Sequence, residues 1–198
     1  MELKNQTKLL FARELEEMLK TIPMDKIRIV DLCKRCNTIP QTFYYHFHDK
    51  YELVAWTFLY DFSKTYVSQV LEYSVESIVD NLKQMNQRRI FYQKTYTQRS
   101  QNSIDQYIQK FNIHSAIDAI EKYYQQPVAF DQLLEIKYHS YGMMGLFQEW
   151  INDKNTVSIE QLAQFQFDHT PDFLKIAYQN YSFKKVSKNF TNESNYQA

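Results

Sequence analysis

Residues 27–50 read IRIVDLCKRCNTIPQTFYYHFHDK, and this segment reveals how the chain is organised. Two short helix-forming stretches, 27–36 and 40–47, are separated by a turn at Asn37. Asparagine is the non-glycine residue that best tolerates the left-handed conformation that ends many helices. The second stretch opens with Pro40, which a helix accepts in its first turn, and Thr38 is in place to cap it. This pattern predicts a helix-turn-helix.

The second helix of this motif has two contrasting faces. Phe43 and Phe47, four residues apart, are expected to anchor its inner side. The outer side carries groups that hydrogen-bond to base edges or phosphates, and residues 26–50 contain five basic residues against two acidic ones. We therefore expect this helix to enter a DNA major groove. The predicted DNA-binding residues are Arg28; Tyr44 and Lys50 for phosphates; Gln41, Thr42 and Tyr45 for base edges; and His46 for either.

The composition favours an all-α fold. The 198 residues include only 2 glycines and 4 prolines, whereas average usage gives roughly 14 and roughly 10. Gly142 and Gly145 cannot supply the glycine-rich loops that bind dinucleotides or nucleoside triphosphates, nor the nucleophile elbow of hydrolases. Several large enzyme classes are thereby excluded. The net charge is zero, so any basic surface must be local.

Apolar residues at helical spacing continue along the rest of the chain. The N-terminal segment 5–20 is predicted to be a helix, and Asp49 is expected to cap a long helix that runs towards Tyr73. Further helices are predicted at 75–87, 88–99, 103–124, from Pro127 to Asp153, from a capping box at 158–161, and from a Thr170 cap with Pro171 in the first turn. The predicted organisation is a helix-turn-helix domain at 1–48, a helical domain at 49–182 and a polar tail at 183–198.

Cys33 and Cys36 form a C-x-x-C pair, a spacing that also occurs in redox and zinc sites. Zinc would need two more ligands at finger-like spacing, and His46 and His48 are too close together to supply them. Two small buried thiols are the simpler interpretation. The other histidines have no nucleophile or carboxylate pattern beside them. We expect no catalytic residue, no metal and no cofactor.

The motif resembles a known family. The segments 29–32 (IVDL) and 42–53 (TFYYHFHDKYEL) resemble the DNA-binding region of TetR-like transcriptional regulators, over about residues 7–60. The sequence departs from that family at Asn37, where glycine is usual, at Arg28, where Thr or Ser often caps, and at Ile39, where Ser is common. The segments 141–151 (YGMMGLFQEWI) and 158–162 (SIEQL) are similar to the C-terminal region of one TetR subset, which includes regulators of dihydroxyacetone kinase genes.

The resemblance implies a homodimer built on the last helices and an effector cavity among the middle ones. Aromatic side chains at near-helical spacing are expected to line such a pocket, with plain core as the alternative. They are Tyr92, Tyr96, Tyr107, Phe111, Tyr138 and Tyr141. Glycines in a helix permit close approach of a second helix, although a bend would also explain them. The predicted dimer interface contains Gly142, Gly145, Trp150, Leu162 and Phe165.

These observations predict an all-α, sequence-specific DNA-binding regulator, a repressor rather than an activator. It would bind a palindromic double-stranded operator as a homodimer, under the control of a small molecule or a partner protein. No run of 18 apolar residues is present, so we expect a cytoplasmic protein without a membrane partner. The alternative is a helical protein-interaction module that does not bind DNA, which acidic residues on the second motif helix would have favoured. An enzyme ranks behind both.

Overall fold

The computed structural model describes residues 2–68, 72–96, 104–153 and 157–181, with side chains described within 6–63, 72–95, 104–153 and 157–181. These described residues form ten α-helices and one short 3₁₀ turn, Met24–Lys26, without any strand. The all-α prediction is confirmed. The helices are α1 Glu2–Leu19, α2 Ile29–Arg35, α3 Pro40–His46, α4 Lys50–Ser68, α5 Val75–Gln87, α6 Arg89–Tyr96, α7 Ile104–Tyr124, α8 Phe130–Ile151, α9 Ile159–Asp168 and α10 Asp172–Gln179.

Helices α1, α2 and α3 form a small N-terminal unit. Helix α1 packs against α2 and α4, and α2 packs against α3. Phe11, Leu15 and Leu19 recur at helical spacing on α1 and are almost fully buried. The 3₁₀ turn was not predicted, because a single short turn carries no periodic apolar pattern.

Helix α4 connects this unit to the remaining helices. It packs against α1 on one side and against α5 and α7 on the other. Helices α7 and α8 lie side by side, α5 packs on α9, and α10 packs on α7. One hydrophobic core runs from α1 to α9, and a second, smaller core joins α7, α8 and α10. The N-terminal unit therefore rests on the same core as the helices that follow it.

Several predicted helix starts are confirmed by their capping bonds. The Asp49 carboxylate accepts from the backbone N–H groups of Tyr51 and Glu52, both at 2.8 Å. The hydroxyl of Ser158 accepts from the Gln161 N–H at 3.1 Å, and the Gln161 side chain accepts from the Ser158 N–H at 3.0 Å. Both arrangements satisfy N–H groups that a helix leaves unpaired.

Helix α3 begins at Pro40 as predicted, but its predicted cap, the start of α8 and the cap and start of α10 differ from the structure by one to three residues. Helix α8 begins at Phe130 rather than Pro127. The Gln132 side chain accepts from the Ala129 N–H immediately before this start. The residue that precedes α3 is Ile39 rather than Thr38. Thr170 caps no helix, because its hydroxyl donates to the Gln166 carbonyl at 2.7 Å and α10 starts at Asp172.

Some predicted boundaries fall outside the described residues. They are the far end of the helix predicted towards Tyr73, which passes through 69–71, the end of the helix predicted at 88–99, and the tail at 183–198. Within the part of the chain that the structure describes, no helix combines the length and apolarity needed to cross a membrane.

Candidate nucleic-acid interface

The turn between α2 and α3 is fixed by two backbone hydrogen bonds. Asn37 has a φ of 50°, so it adopts the predicted left-handed conformation. The Thr38 N–H donates to the Cys33 carbonyl at 2.9 Å, and the Asn37 N–H donates to the Lys34 carbonyl at 3.2 Å. This is a Schellman arrangement, which satisfies the last carbonyls of α2. Helix α3 therefore leaves the turn in a defined direction.

Helix α3 is held from behind by aromatic side chains. Phe43 and Phe47 are 0% and 2% exposed, so both predicted anchors are buried. The ring of Phe43 meets that of Phe11 edge-on at 5.2 Å, and Phe47 lies 5.9 Å from Trp56, between ring centroids. A helix of 7 residues is too short to persist alone. Its position is thus set by α1 and α4.

The opposite side of α3 faces solvent. Tyr44 and Tyr45 are 57% and 67% exposed, and Gln41 is also exposed. Thr42 and His46 are half-buried at the edges of the same side. We call these five residues the reading surface. They present hydroxyl, amide and imidazole groups, which can hydrogen-bond to base edges and phosphates.

Arg28 belongs to the N-terminal unit, one residue before α2, and forms an ion pair. Its Nε and Nη2 donate to the two carboxylate oxygens of Asp31 at 2.7 and 3.1 Å. The side chain is 77% exposed, and exposed ion pairs contribute little to stability. The guanidinium can therefore exchange Asp31 for a phosphate at small cost, and its DNA contact remains a prediction.

Lys50 occupies a different environment from the one expected of a phosphate ligand. Its ammonium donates to the backbone carbonyls of Met24 at 2.6 Å, Asp25 at 3.2 Å and Ile27 at 2.8 Å. Burial lowers the pKa of Lys50, and the charge of Asp25 opposes that effect. These bonds attach the 3₁₀ turn to the start of α4. The geometry gives Lys50 a positioning role, and its predicted phosphate contact is untested.

The two cysteines are packed inside the N-terminal unit as free thiols. Burial raises the pKa of Cys33; burial and the charge of Glu14 raise the pKa of Cys36 to about 12. Because the thiolate is the reactive form, both groups are poorly suited to redox chemistry. In the described parts of the chain, no group of three or more His, Cys, Asp or Glu residues is placed to hold a metal ion.

A partly buried ion-pair cluster connects the N-terminal unit to the helices behind it. Arg88, between α5 and α6, donates to Glu16 of α1 at 2.6 Å and to Asp61 of α4 at 2.9 Å. The Tyr92 hydroxyl also donates to Asp61, at 2.8 Å. Asp61 is 3% exposed, so its charge depends on these partners. Sequence reasoning missed Arg88, Glu16 and Asp61, because they are far apart along the chain and share no motif.

Helix α6 also holds the carboxyl ends of two other helices. The Lys94 ammonium donates to the carbonyls of Leu19 at 2.6 Å and Lys20 at 2.9 Å, at the end of α1. At the end of α8, Arg89 donates to the Trp150 carbonyl and Gln93 donates to the Ile151 carbonyl. Cations are favourable at this end of a helix. Helix α6 is thus a direct link between α1 and α8.

The structure does not bring the six predicted pocket residues together. Tyr92 and Phe111 are buried, and Tyr107 is partly buried with its hydroxyl 3.4 Å from Asp49. Tyr138 and Tyr141 are 84% and 49% exposed, because they lie on the side of α8 that faces away from the core. These two do not line an interior pocket within one chain. The side chain of Tyr96 lies outside the described residues.

The predicted dimer residues also include both buried and exposed positions. Trp150 and Leu162 are 5% and 3% exposed, so neither is available at the surface of a single chain. Trp150 lies on the buried side of α8. The guanidinium carbon of Arg89 lies over the Trp150 ring, 5.1 Å from the ring centroid. Phe165 is 44% exposed. Gly142 and Gly145 are exposed, and beyond their neighbours and the backbone of α8 no atom lies within 4 Å of an added Cβ.

The exposed glycines lie within a longer apolar surface on α8. We call it the α8 outer face, and it consists of Phe130, Leu134, Tyr138, Tyr141, Gly142 and Gly145. Intervals of three and four residues keep these positions on one side of the helix, over about 22 Å of its length. Contiguous apolar surface of this kind is typical of an interaction site.

Comparison with known proteins identifies the family. Residues 72–172, just over half of the chain, match a TetR family model described as the transcriptional regulator C-terminal region. This chain is a TetR-like transcriptional regulator. The match covers α5 to α9 and the helices between them, so it extends the TetR resemblance of residues 7–60 to the other part of the molecule. The TetR-like family is one of regulators rather than of enzymes.

A solved structure supports the same TetR-like fold. It is described as the dihydroxyacetone kinase operon activator DhaS and superposes with a TM-score of 0.51. The two chains are 18% identical, and the match covers 89% of this chain and 98% of that one. At this identity the likeness establishes the fold alone. No curated protein sequence matches this TetR-like chain.

Proposed function

We propose that this TetR-like regulator binds a specific DNA sequence through the reading surface of α3. The observation that carries the proposal is a short helix with its aromatic inner side fixed against α1 and α4 and its polar side exposed. A rigid helix with exposed Gln41, Tyr44 and Tyr45 suits the major groove, where base edges present donors and acceptors.

The roles within this surface follow from chemistry and position. Gln41, near the start of α3, has an amide that can pair with an adenine edge through two hydrogen bonds. Tyr44 has a single hydroxyl on a rigid ring and suits a phosphate oxygen, which fixes orientation but carries no sequence information. Thr42, Tyr45 and His46 complete the contact.

We further propose that the protein acts as a homodimer through the α8 outer face. A two-fold contact brings the same residues of two chains together and buries apolar surface on both. Gly142 and Gly145 then permit the two backbones to approach closely. Such a dimer matches an operator with two related half-sites, about 34 Å apart when the sites lie one helical turn away from each other.

Control by a small molecule or a partner protein acts through the relative position of the two N-terminal units of the dimer. The Arg88 cluster and helix α6 connect α1 to α4 and α8, and a ligand that binds one arrangement better shifts the population towards it. DhaS is described as an activator. For this chain, repression in the cytoplasm by occupancy of an operator remains our prediction.

The proposal is tested by fluorescence anisotropy on a duplex enriched by the wild-type protein from random sequences. Tyr44→Ala should weaken binding to this duplex and to unrelated DNA alike, whereas Gln41→Ala should lose preference at one or two base pairs, worth about 1–3 kcal/mol each. Tyr123→Ala, which removes another exposed tyrosine at the far end of α7, is the control. Unchanged binding by both α3 variants would show that α3 does not read DNA.

A further inference from the structure

Within the N-terminal unit, the exposed apolar side chains lie mainly on the reading surface and close to it in sequence. Within the described residues 6–63, the large hydrophobic residues that remain exposed are Leu9, Val30, Ile39, Tyr44 and Tyr45. Four of these five belong to α2, α3 or the turn between them. Tyrosine has a hydroxyl that explains its exposure in a DNA-binding surface. Ile39, at 60% exposed, is the most exposed aliphatic side chain of this set.

The side chain of Ile39 contributes nothing to the capping of α3. Its backbone is extended, with φ −110° and ψ 156°, and its side chain forms no capping hydrogen bond. A Ser, Thr, Asp or Asn residue at this position stabilises a helix, because its side chain accepts from a free backbone N–H. The chain therefore forgoes a local gain in stability at Ile39 and exposes a hydrocarbon group in its place.

The position of Ile39 is well defined. The Schellman turn ends at Thr38, and the carbonyl of Ile39 accepts from the Thr42 N–H at 3.0 Å. A β-branched side chain has few rotamers, so it loses little freedom when a partner covers it. Ile39 is thus a rigid apolar group that immediately precedes the reading surface.

We propose that Ile39 is a specificity-determining residue that contacts the C5-methyl group of a thymine. The inference rests on the proposed DNA binding and deepens it. The edges of the base pairs in the major groove carry donors, acceptors and one apolar group, the thymine methyl. An exposed aliphatic side chain beside the reading surface is complementary to that group. Contact removes both hydrocarbon surfaces from water.

The experiment compares thymine with deoxyuridine, which lacks only the methyl group. Each thymine of the duplex enriched by the wild-type protein is replaced singly, and affinity is measured for wild type, Ile39→Ser and Ile39→Val. Wild type should lose about fourfold at one thymine in each half-site, the value expected for burying one methyl group. Ile39→Ser should bind the thymine duplex more weakly and should not distinguish the two bases there. Ile39→Val should keep part of the discrimination.

Ile90→Ser is the matched control, because Ile90 is 66% exposed on α6, outside the reading surface, and should retain the wild-type discrimination. Equal thymine dependence in wild type and Ile39→Ser, or an enriched duplex without thymine in its half-sites, would overturn the proposal while leaving DNA binding intact. If Ile39 instead bound a protein partner, wild type and Ile39→Ser would show the same thymine dependence. Failure of wild type to enrich any duplex would remove the proposed function and this inference with it.

Discussion

The Lys50 ammonium donates to three backbone carbonyls at and beside the 3₁₀ turn, those of Met24, Asp25 and Ile27. We predict that Lys50→Met lowers the free energy of unfolding by about 1–3 kcal/mol, because charged hydrogen bonds to partly buried groups are lost. Urea denaturation measures this change. Lys26→Met is the control, since the Lys26 side chain is 75% exposed at the end of the same turn. If Lys50→Met kept its stability but bound DNA weakly, Lys50 would instead be a phosphate contact.

His139 of α8 is partly enclosed, with Nε2 3.5 Å from the Thr170 hydroxyl. Burial lowers the pKa of His139 to about 4; a hydrogen bond with the His169 backbone opposes this effect, and charge repulsion from His169 adds to it. In the unfolded chain a histidine titrates near 6.5. The unfolded state therefore binds this proton first, and stability is lost as the pH falls from about 6.5 to about 4.

We predict that His139→Gln loses less stability than wild type between pH 7 and pH 4.5, by about 1 kcal/mol or more. Thermal or urea unfolding at several pH values measures the difference. His114→Gln, at an exposed position on α7, controls for the loss of a histidine. If the stabilities of wild type and His139→Gln changed equally with pH, His139 would not be the source of the loss at low pH.

At the scale of helices, the Arg88 cluster connects α1 and α4 to the junction between α5 and α6. We predict that Arg88→Met destabilises the protein by about 3–5 kcal/mol, because the buried Asp61 carboxylate loses its ion pair with Arg88. Tyr92→Phe should cost only about 1 kcal/mol, since one hydrogen bond to the same carboxylate is lost. Denaturant titration compares the two. A rescue of Arg88→Met by Asp61→Asn would confirm the cause, and equal effects of the two single changes would contradict it.

Local signals made α2, the turn and α3 predictable. Asn37, Pro40 and the Phe43–Phe47 pair each act within a few residues, so a sequence pattern records them. The caps at Asp49 and Ser158 were predictable for the same reason. The partners of Arg88 lie 27 and 72 residues away, and those of Lys94 lie 74 and 75 residues away. Such pairs depend on how the helices pack, which composition and spacing do not specify.

The two sides of α8 were only partly predictable. Trp150 and Gly145 lie in one helix, and both were expected at the dimer interface. The helical period places Trp150 with the buried stripe that contains Met144, Phe147 and Ile151, whereas Gly145 faces away from it. Which side of an apolar helix faces its own core is decided by the neighbouring helices. That information became available only with the fold.

For the whole molecule, Gly145→Leu separates assembly from folding. Apart from the adjacent residues and the backbone of α8 itself, no atom lies within 4 Å of a Cβ at this position. The variant should keep or slightly raise the stability of the single chain, because glycine disfavours a helix interior by roughly 1 kcal/mol. Its dimer should be weaker by tenfold or more in sedimentation equilibrium. Glu121→Leu, at an exposed position on α7, is the control. A dimer of unchanged affinity would place the interface elsewhere.

In the proposed function, two copies of α3 read one specific DNA duplex. Enrichment of random double-stranded DNA by the purified wild-type protein, followed by sequencing, measures this directly. We predict a pseudo-palindrome whose half-sites are centred about one helical turn apart, with affinity that falls steeply as salt is added. Recovery of no preferred sequence, from a protein that is folded and dimeric, would contradict the claim and favour a helical interaction module.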